Sequence, residues 1–179
     1  GLLVRAIREQ GRLVSEALVP LLKDFGGQNV AALNDAMVRI GAGSLRIKLL
    51  LRPVGPADME NYFFVAAHPR VPAEYLDLER IDLIATGVLK EVSASCAIGA
   101  PSITQYRNPA GKDEVLTSIS PVLTERGCWV VILSQTESAL LGSVGRDSTG
   151  RERPPGGRAH LVIANDGATN VFACTIGVQ

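Results

Sequence analysis

The sequence is poor in most of the groups that carry chemistry. Histidine occurs twice, at His68 and His160, and aromatic residues make up 4% of the 179 positions. No P-loop, GxGxxG, HExxH or nucleophile-elbow pattern is present, and no Asp, Glu or His group has the spacing of a metal-ligand set. Neither an enzyme nor a cofactor is expected here. Neither sign of charge is in excess: 18 basic and 18 acidic residues give a net charge of +0. That excludes the broad basic surface of a nucleic-acid binder, and the shortage of aromatics removes a base-stacking platform. No apolar run reaches the ~18 to 20 residues of a membrane span; the longest, YFFVAA and CWVVIL, are strand-sized. The three cysteines, Cys96, Cys128 and Cys174, fit no zinc signature. No signal peptide is visible, because Arg5, Arg8 and Glu9 stand where its apolar segment would be. Since Gly1 opens directly into helical patterning, the expectation is a piece cut from a longer protein.

What is present is the composition of an ordinary soluble globular domain, 46% apolar and 20% charged, enough to bury a core without staples. From Leu3 to Leu21, Leu3, Ile7, Gln10, Val14, Ala17 and Leu21 fall at alternating steps of four and three, which predicts one helical stripe. Pro20 is expected to kink or end that helix. A second short helix carries Val30, Leu33, Met37 and Ile40 on one face and stops at Gly41 and Gly43. Residues 44–52 alternate, with Leu45, Ile47, Leu49 and Leu51 pointing one way and Arg46, Lys48 and Arg52 the other, the pattern of a half-buried strand. A second strand, Tyr62 to Ala67, completes a hairpin with it.

Pro72 suits a helix start. Leu78, Ile81, Ala85, Val88 or Leu89, Val92 and Cys96 follow at helical spacing, with Gly87 as the point where the helix divides. Beyond it, SITQYR, EVLTSISPVL and CWVVILSQ are joined by turns too short for a crossover, so they form an antiparallel meander. ESALLG reads as a short helical turn, residues 145–159 as a Gly/Pro/Arg-rich linker, and the last segment as two short strands around Asn165-Asp166-Gly167. The domain expected is residues 1–143, with 144–179 as linker and C-terminal hairpin.

Strand pair, helix and three-stranded meander is the element order of a PAS-like fold. The strands LRIKLLLRP and YFFVAAHP, the helix end EVSASC and the meander ITQYRNPAGKDEVLTSISPVLTERGCWVVILS resemble the extracytoplasmic Cache or PAS-like sensor domains of bacterial membrane-bound histidine kinases. The resemblance covers residues 1–143 and rests on element order and strand texture. It implies an α+β fold: a central five-stranded antiparallel sheet with a long N-terminal, membrane-proximal helix and covering helices. It also implies a periplasmic sensing domain in a membrane-anchored, homodimeric receptor whose output is a histidine kinase. The competing reading is a cytosolic PAS-like interaction module without ligand. The tail after residue 144 departs from the family pattern, because no second span follows the last strand.

In this fold a small-molecule ligand lies between the sheet and the helices and loops covering it. Polar strand residues are then the candidates: Tyr62, His68, Tyr106, Arg107, Thr117, Ser118 and Ser134. The plainer reading puts them on a solvated sheet face, and the period of two sends Tyr106 and Arg107 to opposite faces. Cys96 ends a helix and Cys128 begins a strand. A disulfide between them would contribute ~3 kcal/mol by loop closure; two buried thiols are the alternative. The stripe on the first helix reads either as a dimer seam or as packing against the sheet.

Overall fold

The computed structural model describes residues 1–25, 30–41, 45–54, 61–108, 111–148, 170–171 and 175–177. Helix α1 spans Leu2–Lys23 and α2 spans Val30–Ile40. Strands β1 (Arg46–Pro53) and β2 (Asn61–His68) follow, then a single 3-10 turn at Ala73–Tyr75. Helices α3 (Leu76–Ala85) and α4 (Val88–Ile98) lead into the meander β3 (Ser102–Arg107), β4 (Glu114–Thr124) and β5 (Gly127–Thr136). Helix α5 (Glu137–Ser148) and the short strands β6 (Asn170–Val171) and β7 (Thr175–Gly177) complete the described chain.

The five main strands lie in the order β3-β4-β5-β1-β2, each antiparallel to its neighbour. The last strand of the meander therefore pairs with the first strand of the hairpin, which brings β1 to the centre of the sheet. This is the α+β, PAS-like arrangement expected from the element order. Both faces of the sheet are covered. One face packs Ile47, Leu49, Trp129, Val131 and Leu133 against Ile7, Val14, Leu18 and Leu22 of α1, Leu33 and Met37 of α2, and Leu140 of α5. The other packs Leu50, Tyr62, Phe64, Val130 and Ile132 against Leu83 of α3 and Val88, Leu89 and Val92 of α4. At ~25 cal/mol per Å² of apolar surface removed from water, these two layers are the main driving force for the fold.

Local chemistry explains the boundaries. Gly87 (φ 80°) and Gly99 (φ 76°) take the left-handed conformation that divides α3 from α4 and ends α4. Thr136 caps α5, its Oγ1 accepting from the Ala139 amide at 3.3 Å. In the tight turn before β5, the Thr124 hydroxyl donates to the Gly127 carbonyl and accepts from the Arg126 amide.

Several expectations are corrected. Pro20 does not end α1, which runs on to Lys23 with Pro20 exposed on its outer side. The buried residues of α1 are Ile7, Gln10, Gly11, Val14, Ser15, Leu18 and Leu22, so Ile7, Gln10 and Val14 of the expected stripe face inward while Ala17 is exposed. That stripe packs against the sheet, the second of its two expected roles. In α3 the series Leu78, Ile81 and Ala85 faces outward, and Leu83 is the residue driven into the core. The sheet offers no solvated face for Thr117 and Ser118, since helices cover both sides. Helix α5 runs through the boundary expected at residue 143. Among the described tail residues, β6 and β7 each lie antiparallel to β2, along its free edge; the hairpin expected around residues 165–167 falls outside the described residues. The Asn165-Asp166-Gly167 turn and Cys174 lie outside the described residues.

Candidate functional site

The register of the sheet sorts the candidate residues. Arg46 pairs with Ser134, Ser134 with Thr117, and Thr117 with Thr104, so one polar row crosses four strands. Residues paired in this way share a face, and this row lies on the side covered by α3 and α4. Tyr106 is two residues beyond Thr104 on the same face and packs against that core. Thr117 is fully buried, and its hydroxyl lies 2.9 Å from that of Ser134. Tyr62 is also on this face, fully buried, its hydroxyl donating to Ser93 Oγ of α4 at 3.1 Å. That bond gives Tyr62 a structural partner, as a buried phenol needs.

Helix α3 brings the counter-charges. Glu79 forms an ion pair with Lys48, whose β1 position is two residues from Arg46 on the same face. Glu79 and Asp82 are three residues apart, hence neighbours on the helix surface. Burial pushes the Tyr106 phenol above its ordinary pKa of 10.0, the carboxylates of Asp82 and Glu79 push it further, and Arg46 draws it back. Arg46, at the exposed end of the row, and half-buried Lys48 share a face with Tyr106, Thr104, Thr117 and Ser134, and Lys48 meets Glu79 of the covering helix. The cluster brings both signs of charge and three hydroxyls to one face of the sheet.

The remaining candidates lie elsewhere. His68 pairs with Ile47, on the α1 side, and packs over the end of α2, where a Cβ added to Gly41 would lie 2.5 Å from His68 Cγ. Ser118 pairs with Ile103 and Leu133, also on the α1 side. Arg107 is exposed at the sheet rim, 3.4 Å from Glu114. The structure therefore brings together Tyr106, Thr117 and Ser134, places Tyr62 in the same layer, and separates His68, Arg107 and Ser118 from them. The sequence reading did not select Arg46, Lys48, Glu79, Asp82 or Thr104. A signal existed: two cations at alternate strand positions and two acids at helical spacing.

Cys96 of α4 and Cys128 of β5 are joined by a disulfide, with their Cα atoms 6.0 Å apart and a sequence separation of 32. It fixes the covering helix to the sheet beside this face. Among the described residues no group of three or more His, Cys, Asp and Glu side chains is placed to hold a metal ion. No helix of the described residues is long and apolar enough to cross a membrane.

No family model matches the chain, and no curated protein matches it. Among solved structures, it is similar to the ligand-binding domain of the amino-acid chemoreceptor PctC of Pseudomonas aeruginosa, determined in complex with GABA. The two share 14% identity at a TM-score of 0.45 over 83% of this chain. The chain spans 63% of that domain's length.

Proposed function

We propose that this domain is the extracytoplasmic input of a membrane-anchored, homodimeric receptor, and that the receptor's output is a histidine kinase. It binds a small polar molecule between the sheet and α3–α4 and passes the change in packing through the sheet to α1. The observation that carries this reading is the polar row Arg46–Ser134–Thr117–Thr104 on the face covered by α3 and α4, exposed at Arg46 and fully buried at Thr117. A face needed only for packing would be apolar there, as the row Phe64–Leu50–Val130–Pro121 is. The disulfide supports an oxidising compartment such as the periplasm. The arrangement of layers supports the route of the signal, because α1 and α3–α4 lie on opposite sides of the same strands. A ligand moves α1 only insofar as it prefers one of two helix positions.

Native mass spectrometry of the purified, unreduced protein tests the reading. The expected result is a co-purified or added small molecule whose mass vanishes on denaturation, on a chain two hydrogens lighter than its reduced form. The combined T117V/S134A variant, which keeps the disulfide, is expected to lose that extra mass. A bare chain with three free thiols would overturn the proposal in favour of an intracellular interaction module.

A further inference from the structure

The opposite side of the sheet carries a cavity of about 440 Å³ between α1 and the strands β3 and β4. Its floor is Ser118 and Ser120, two residues apart on β4 and therefore on one face. Its roof is α1, which contributes Arg8, Arg12, Ser15 and Glu16 at helical spacing. Ile103 and Pro121 are the apolar walls. Gly11 closes the cavity beside these residues: its missing side chain lets α1 approach so near that an added Cβ would overlap Ser118.

The polar groups here are unusual in being unused. Ser118 is 3% exposed and Ser120 6%, and Ser15 is buried as well. No hydrogen bond is made by these three hydroxyls among the described residues. Their oxygens are not among the buried unpartnered atoms of the described residues, so they open onto the cavity and are available to an outside acceptor. The charges point the same way. Arg12 is held by Glu9 and Glu16 on its own helix. Arg8 has no ion pair among the described residues. With Arg12 and Glu16 cancelling, the lining retains the single positive charge of Arg8.

From this geometry we infer a binding site for a small organic monocarboxylate. Its carboxylate accepts from the Arg8 guanidinium and the serine hydroxyls, and its apolar body lies against Ile103 and Pro121. One uncompensated cation matches a carboxylate better than a phosphate monoester, whose charge is about −1.5 to −2. The volume is within the range of small-molecule pockets. This site is on the other face of the sheet from the polar row and does not depend on the sensing role.

The test is titration of the isotope-labelled, disulfide-intact protein with hexanoate at millimolar concentration, read by amide chemical shifts, with hexanol as the neutral control. The expected outcome is movement of the Ser15, Ser118 and Ser120 amides by hexanoate, with binding weakened about tenfold in Arg8→Gln, as loss of one charge-assisted hydrogen bond requires. Arg8 is exposed, so the variant keeps the fold, which circular dichroism checks. Equal shifts with hexanol, an Arg8→Gln variant that binds as well as the parent, or no shift at these amides would each overturn the inference. Shifts confined to Thr104, Tyr106 and Thr117 would overturn it while supporting the sensing reading.

Discussion

Gly127 begins β5 at φ 137°, and a Cβ there would meet the Arg52 carbonyl and lie 2.9 Å from Pro53 Cα. Neither neighbour is a flexible side-chain tip; both are backbone of the paired strand β1. Gly127→Ala combines backbone strain with a clash, and is expected to cost about 2–4 kcal/mol, read as a lowered urea midpoint. Gly11 illustrates the same principle inside a helix. Alanine would gain about 1 kcal/mol of helix propensity, yet the contact with Ser118 makes glycine the residue that fits. Tyr106 gives a pH prediction. Its folded pKa is raised above the ordinary 10.0, first by burial and then by Asp82 and Glu79. The folded state therefore favours the neutral phenol. That stabilisation is complete below the unfolded pKa and is lost as pH rises through the folded value. Spectroscopic titration of the phenols is expected to show one titrating later than a free tyrosine, absent in Tyr106→Phe, and the variant should lose less stability over the alkaline range. A Tyr106 titrating at or below 10.0 would contradict the burial described here.

At the scale of elements, the period of the apolar residues determined type and order well. The alternation of Leu45, Ile47 and Leu49 gave β1 its strand character, and the short turns gave the meander. What periodicity did not settle was which stripe of a helix faces inward. On α1 the inward stripe passes through Gly11 because closeness to β4 outweighed apolarity. On α3 the apolar Leu78 and Ile81 are outside, since the helix turns Glu79 toward Lys48. The disulfide joins α4 to β5 across a loop of 32 residues in sequence. Removing it by the paired change Cys96→Ser and Cys128→Ser is expected to cost about 3–4 kcal/mol by loop-closure entropy, measured by chemical unfolding with and without reductant. Equal stability of the oxidised and reduced parent would show that α4 is held by its core packing and the Tyr62–Ser93 hydrogen bond without help from the disulfide.

At the scale of the whole molecule, the sheet is a shared layer between two sets of helices, and Lys48–Glu79 is the ion pair that ties α3 to it. The side chains are 21% and 17% exposed, so the pair is shielded from solvent more than a surface pair. Glu79→Gln leaves Lys48 partly buried without its counter-charge and is expected to destabilise by about 1–3 kcal/mol; a loss under about 0.3 kcal/mol would place the pair among those that contribute little. The same variant is expected to weaken small-molecule capture on the α3 face, visible in native mass spectra. The sequence by itself determined the element order, the antiparallel meander and the absence of membrane-span, nucleotide-binding and metal-site patterns, because these depend on local spacing and composition. Only the tertiary structure decided which polar residues meet. Arg46, Ser134, Thr117 and Thr104 come from four strands distributed over some ninety residues of sequence, and their row exists only once β5 pairs with β1. Face assignment, helix rotation and the partners of a buried hydroxyl are properties of packing between elements, which no local pattern contains.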